Sequence, residues 1–454
     1  MGAPLLKYLA EIKLILALGF PIAIAQIAQT SMGFVDTLMA GRFNSTDLAA
    51  VSLGSSIWLP LFLACQGILM ATTPIVAHQV GEGKSYKSCE TLHQGGVIVI
   101  CLCILSMLAI HHCEPILVLM NVETKLATLT LDYLSAISWG IPAILIYQLI
   151  RSYIEGFGKT LPGMKIALLG IACNIPLNYI LIYGKLGLPA LGGVGCGWAT
   201  SIVMWIMLIA SILYILKSPT FKPLAPFKQW KPPQFKAIKD YLALGLPIGV
   251  ALLIEVSMFS VIALLLADLG ETIIASHQIT LSFTGLVFMI PLSISLAVTI
   301  RIGQLLGSKN YAGARHSAKA GLVVTIIIAF FSSGLMALLS DEIAGLYTTD
   351  LQIISIATTL LVIAALFQFS DAIQITCAGA LRGYKDTQVP LLIVFIAYWI
   401  IGLPTGFILG KTDIILTPMG PTGFWIGLLI GLTISAILLL SRLHWKSKQQ
   451  LNVI

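Results

Sequence analysis

Charge is what this chain has least of. Asp, Glu, Lys and Arg together make up 10% of its 454 residues, against 58% hydrophobic residues and a mean hydropathy of +0.97. Soluble domains carry about 25% charged residues, so a chain this poor in charge could not cover its own surface in water. Nor is one giant apolar globule an option, because single soluble cores stop growing at roughly 250–300 residues. Also missing is any long polar stretch that would form an extramembrane domain. The eight cysteines include no C-x-x-C pair, and the seven histidines have no metal-ligand spacing. A disulfide framework and a metal centre are therefore not expected.

Nucleotide and hydrolase signatures are absent too. Gly83-Lys84-Ser85, Gly158-Lys159-Thr160 and Gly410-Lys411-Thr412 look like the end of a phosphate-binding loop. The Gly that must precede each is replaced by His78, Tyr153 or Thr405. No HExxH or GxSxG occurs, so hydrolase chemistry has no visible carrier. The protein is not expected to be an enzyme, and no cofactor is expected.

What is present in quantity is apolar sequence. Twelve runs of spanning length lie near 14–38, 50–77, 94–110, 128–150, 162–184, 191–216, 242–267, 273–300, 320–339, 351–381, 388–409 and 421–441. The first follows Lys7 and Lys13 and has no small-residue cleavage site, so it reads as a transmembrane helix rather than a signal peptide. The expected fold is an all-α polytopic membrane protein of twelve transmembrane helices. Between the sixth and seventh runs, Lys217 to Asp240 holds six Lys and five Pro. This divides the chain into an N-lobe at 1–216, a basic linker at 217–240 and a C-lobe at 241–454.

The halves resemble each other. GFPIAIAQIAQ from Gly19 matches GLPIGVALLIE from Gly245, a register of 226 residues. Ala49 then falls on Ala275, Gly81 on Gly307 and Gly95 on Gly321, while EGFGKT from Glu155 meets RGYKDT from Arg382 at 227. Six helices return the chain to its starting side, so the repeat is parallel and the two six-helix lobes are pseudo-symmetric, a common plan for secondary transporters. With the N-terminus in the cytoplasm, only Arg42, Lys125, Lys185 and Lys411 of the 26 basic residues lie outside. Positive charge near helix ends sets topology, so both termini are expected to be cytoplasmic. The net charge of +7 then answers to anionic headgroups of membrane lipids and not to nucleic acid.

Three acids remain inside apolar runs: Asp36, Glu255 and Asp371. None has Lys or Arg within a helical turn, and no buried basic partner is expected. A bare carboxylate in hydrocarbon is costly, so each must face a cavity, bind a cation or hold a proton. Counted from Asp240 and Arg382, Glu255 and Asp371 differ in depth by about 6 Å and can share a site. Asp36 belongs to the other lobe. Asn174 and Asn178, an i, i+4 pair on the fifth span, can donate and accept toward it. Phe367 sits one turn before Asp371. Glu255 falls on Gln29 in the repeat register, so the lobes are chemically unequal.

QTSMGFVDTLMAGRFNSTDLAAVSLGSSIW (Gln29–Trp58), the GFGKT and LRGYKDT turns, NIPLNYILIYGKLG (Asn174–Gly187) and LGGVGCGWATSIVMW (Leu191–Trp205) carry a resemblance to a known family. They are similar to the multidrug and toxic compound extrusion family, in its NorM-like bacterial branch, over nearly the whole chain. The resemblance implies an inner-membrane antiporter that exchanges Na⁺ or H⁺ for cationic amphiphilic drugs and so confers antibiotic resistance. It implies Asp36 as the N-lobe acid, with Asn174 and Asn178 in its network, and Glu255 with Asp371 as the C-lobe Na⁺ site. Ser55, Gln278 and Ser282 align with drug-facing places. Relatives often have Tyr where this chain has Phe367, which leaves a cation–π contact there in place of a hydroxyl ligand.

The alternative is a lipid or lipid-linked oligosaccharide flippase, which would need buried cationic residues for pyrophosphate. A channel would need a selectivity ring from oligomeric symmetry. None is readable, and a monomer is expected.

Overall fold

In hydrocarbon every backbone N–H and C=O must find a partner within the chain, and a continuous helix is the simplest solution. A computed structural model describes residues 2–228, 231–414 and 417–451, without the side chains of residues 2–6. Among these residues there is no strand. The first half runs α1 (Gly2–Phe43), α2 (Ser45–Leu69), α3 (Thr72–Gly81), α4 (Ser88–His111), α5 (Glu114–Leu119), α6 (Thr124–Ser138), α7 (Ile141–Gly156), α8 (Leu161–Tyr183) and α9 (Gly192–Lys217). The second half runs α10 (Phe235–Leu266), α11 (Glu271–Gly307), α12 (Tyr311–Leu338), α13 (Ser340–Gly345), α14 (Leu351–Gly383), α15 (Gln388–Phe395), a π-helical turn (Ile396–Gly402), α16 (Leu403–Lys411) and α17 (Pro421–Leu451).

Among the described residues, eleven helical segments are long and apolar enough to cross a membrane, and the bent pair α6–α7 makes a twelfth. Each of the twelve expected runs therefore falls on such a segment, several of them with longer ends. The seventh starts at Phe235 and the twelfth continues to Leu451. Lysine and histidine at these ends lower hydropathy without breaking helical hydrogen bonds, because long side chains reach outward from an intact helix. The fourth span bends by 44° between Ser138 and Ile141. Pro142 stands at the start of α7 and lacks the N–H that would continue the ladder.

The repeat is visible in the element boundaries. α2–α3 spans Ser45–Gly81 and α11 spans Glu271–Gly307, both ends displaced by 226. The short helices α5 and α13 keep that offset, whereas α6–α7 (Thr124–Gly156) and α14 (Leu351–Gly383) stand at 227. One extra residue in the loop after α13 accounts for the change. At the position of Gly140 and Pro142, α14 carries Phe367 and Phe369, and it runs unbroken.

The chain forms two compact units, residues 24–249 and residues 1–23 with 250–454. α1 and α10 are each divided between them two residues beyond a proline, Pro21 and Pro247.

In the 24–249 unit, α9 packs against α6, α7 and α8. Tyr147, Tyr153, Leu134 and Ile137 are fully buried there. Gly195 lets α9 approach α8 so closely that a Cβ would stand 2.6 Å from the Leu181 carbonyl oxygen, the small-residue contact typical of membrane bundles. The segment after α9 folds back on α4: Gln94 Nε2 donates to the Pro232 carbonyl at 3.1 Å and accepts at Oε1 from Gln234 N at 2.9 Å. Residues 229 and 230 of the expected linker lie outside the described residues.

In the other unit α14 is central, packed by α11, α12 and α17. Ser295 and Thr299 of α11 donate to the α14 carbonyls of Ile375 at 2.6 Å and Gly379 at 2.7 Å. Near its edge, Arg301 donates to both oxygens of Glu11 at 2.7 and 3.1 Å.

Candidate functional site

The 24–249 unit builds a hydrogen-bonded carboxylate. Asp36, 7% exposed on α1, accepts at Oδ1 from Asn174 Nδ2 at 3.0 Å and from Asn178 Nδ2 at 2.6 Å. Thr200 Oγ1 of α9 donates to Oδ2 at 2.7 Å. The i, i+4 spacing on α8 places both amides on one face, and Asn178 also donates to Asn174 Oδ1 at 3.1 Å. Asn178 Oδ1 has no partner, so one acceptor is free beside a group that can take a proton. Asn174, Asn178 and Thr200 thus donate to Asp36, Cys196 also lies against the carboxylate, and no cation pairs with it. Thr200 carries no mark in the sequence. It lies in the Leu191–Trp205 stretch among other small residues, and only the α8–α9 packing selects it.

Asp371 and Glu255 make a different arrangement in the other unit. Asp371 is 3% exposed on α14, and Glu255 is half-buried on α10. The two interact electrostatically. Neither carboxylate accepts a hydrogen bond from any described side chain or backbone N–H, unlike Asp36. Tyr398 is within electrostatic reach of both and is buried. Its hydroxyl exchanges hydrogen bonds with the Gln374 amide at 2.7 and 2.9 Å. Tyr398 projects from the π-helical turn, a local widening of the ladder that recurs at functional sites. Among the described residues no three His, Cys, Asp or Glu side chains gather as a metal centre. A cation at this site would thus be held by two carboxylates and neutral oxygens.

The expectation that the acids have no buried basic partner is corrected. Arg151 and Arg382 are 5% and 8% exposed. Both lie near the ends of apolar runs, where a hydropathy reading assigns them to water, but packing covers them. Arg151 Nε donates to Glu155 at 2.7 Å, and its two terminal nitrogens donate to Gln29 and Gln26 at 3.0 Å each. Arg382 donates to Ser295 Oγ at 3.0 Å and interacts electrostatically with Glu255.

The remaining candidates are scattered. Phe367 packs edge-on against Trp425, ring centroids 5.9 Å apart. The indole of Trp425 donates to His277 Nδ1 at 3.1 Å. Gln278 and Ser282 are exposed one turn apart on α11. Ser55 is half-buried and shares a hydrogen bond with the Tyr133 hydroxyl at 3.3 Å.

The chain as a whole resembles known proteins. The MatE family model matches residues 21–180 and 247–408, one segment in each half. Multidrug resistance protein NorM of Photobacterium profundum is 45% identical over 439 residues, covering 97% of this chain and 96% of its own. Multidrug resistance protein MdtK of Proteus mirabilis is 45% identical over 449 residues, covering 99% and 98%. The crystal structure of the eukaryotic MATE transporter AtDTX14 superposes with a TM-score of 0.88 at 18% identity, covering 98% of this chain and 99% of that one. That last likeness speaks for the fold alone. The match in both halves, together with near-full-length identity to NorM, makes this chain a NorM-like member of the MatE family.

Proposed function

We propose that the protein is a secondary active multidrug efflux transporter, exchanging Na⁺ or H⁺ for cationic amphiphilic drugs by alternating access. The observation that supports this best is a carboxylate pair that receives no hydrogen bond. Asp371 and Glu255 are withdrawn from bulk water, repel each other and receive no hydrogen bond. An empty pair of this kind is unfavourable, and a bound cation relieves it. Relief available in one conformation and not in the other is a differential affinity, which is what couples an ion gradient to drug movement. One charge crossing 100 mV supplies about 2.3 kcal/mol for that purpose.

Asp36 serves as the protonation site of the first half, its charge buffered by Asn174, Asn178 and Thr200. Ser55, Gln278 and Ser282 face the drug, whose aromatic body and positive charge suit apolar walls near fixed negative charge. Phe367 supports this space by packing. Residues 1–216 and 241–454 act as the two transport lobes, joined by 217–240, with both termini on the cytoplasmic side of the inner membrane and the protein working as a monomer among its lipids. The flippase reading gains little from the buried arginines, because Arg151 is satisfied by Glu155 and two glutamines and Arg382 interacts electrostatically with Glu255.

Dye efflux from proteoliposomes under separately imposed Na⁺ and H⁺ gradients tests the reading. Export of a cationic dye driven by at least one gradient is expected. Efficient movement of anionic lipid with no movement of cationic dye would replace it with the flippase.

A further inference from the structure

Arg382 is the one buried guanidinium among the described residues that lacks a carboxylate at ion-pair distance. It is 8% exposed, makes one hydrogen bond, to Ser295 Oγ at 3.0 Å, and its Nε has no partner. Burying an unpaired charge is costly even after relaxation, so a compensating charge is required nearby. The internal repeat identifies it. In the first half, one guanidinium, Arg151, bridges Gln29 and Glu155 at 3.0 and 2.7 Å. In the second half the position of Gln29 is held by Glu255, and that of Glu155 by Arg382. Two places bridged by a single side chain in one half thus hold opposite charges in the other. The position of Arg151 is taken by Ala378. Glu255 and Arg382 interact electrostatically.

We propose that Arg382 is a resident counter-charge of the Glu255–Asp371 site, which leaves the site with one net negative charge and sets its capacity at one monovalent cation. This rests on the reading of Glu255 and Asp371 as the cation site. Glu255 is balanced by Arg382, and Asp371 is left uncompensated. A single Na⁺ brings the cluster to neutrality, whereas a second one or a divalent ion would leave net positive charge buried. Arg382 is a positioning residue in this scheme, since it does not touch the ion.

The test is equilibrium binding of radioactive Na⁺, with Ca²⁺ as competitor, to the purified full-length protein. Site occupancy is taken as the difference from Asp371→Asn. Wild type should bind one Na⁺ per chain, and Ca²⁺ should compete weakly. Arg382→Gln should bind Na⁺ about tenfold more tightly or bind a second ion, and Ca²⁺ should now compete. Arg382→Lys keeps the charge and should behave as wild type, which also guards against a folding defect. Unchanged Na⁺ affinity, unchanged count and unchanged Ca²⁺ competition in Arg382→Gln would overturn the proposal. If wild type itself binds no Na⁺, the cation-site reading fails first and takes the counter-charge with it.

Discussion

Replacing Asp36 by Asn separates the charge of this residue from its shape. In the native cluster three donors converge on the carboxylate: Asn174 and Asn178 at 3.0 and 2.6 Å on Oδ1, and Thr200 at 2.7 Å on Oδ2. An asparagine side chain can keep its oxygen toward the two amides. Its NH₂ then faces Thr200, whose hydroxyl rotates to accept. Loss of charge assistance removes about 1 kcal/mol from each of three hydrogen bonds, or about 3 kcal/mol in all. Against that, a buried charge no longer has to be desolvated, a gain of several kcal/mol by itself. The terms oppose each other, so Asp36→Asn should change unfolding free energy by no more than about 2 kcal/mol, in either direction. Asp36→Leu offers no acceptor and orphans three buried donors, at about 1–3 kcal/mol each. Its thermal unfolding temperature in detergent should fall well below that of both wild type and Asp36→Asn. Transport must order differently. An amide cannot take up a proton at cellular pH, so both variants should lose gradient-driven dye efflux while only one loses stability. Wild-type efflux with wild-type pH dependence in Asp36→Asn would refute the protonation role.

In the other unit, Asp371→Asn and Glu255→Gln should each abolish cation-driven efflux in folded, inserted protein, and the double variant should be little worse than either, as for residues acting as one unit. Asp36→Asn, by contrast, should leave Na⁺ binding by Glu255 and Asp371 intact. Gly195→Ala forces a methyl group against the Leu181 carbonyl oxygen and should cost about 1–3 kcal/mol, read as a lowered unfolding temperature with unchanged ion preference. Cysteine labels placed in the 217–240 segment and near the C-terminus should react only from the cytoplasmic side, and reaction of both from outside would reverse the topology.

The sequence carries the helices well because bilayer thickness turns hydropathy into length. It carries the repeat for the same reason, since Gly19 and Gly245 open segments that must break and pack alike. The bend in the fourth span is also written there, as Gly140 and Pro142 standing close together with no counterpart at Phe367 and Phe369. The site is legible only where a single residue violates its surroundings. Asp36, Glu255 and Asp371 stand out against apolar neighbours, and the spacing of Asn174 and Asn178 marks one helical face. Thr200 does not stand out, because a threonine in a membrane helix ordinarily bonds its own backbone. Tyr398 is hidden similarly, as one aromatic among many; its exposure to the acids depends on a π-helical turn that no periodicity announces. Arg382 reads as solvated because it lies near the end of a run. Only its alignment with Glu155 hints that the position is interior.

The same register explains why two alike halves can carry two unlike sites. Asp36 falls on Ile262, which is 1% exposed, and Asp371 falls on Ile144, at 6%. Each acid therefore stands where its counterpart is packed hydrocarbon, and neither unit repeats the other's charge. A duplicated frame with duplicated acids would give two equal sites, and both would respond alike to one ion. Here one carboxylate is held by three donors, and a mutually repelling pair is held by none. On the proposed function, the first changes state mainly by gaining or losing a proton and the second gains most from a cation. The matched helix lengths keep the two halves alike in frame, and a handful of differences at equivalent positions (Gln29 for Glu255, Glu155 for Arg382, Ile144 for Asp371) make them chemically unequal.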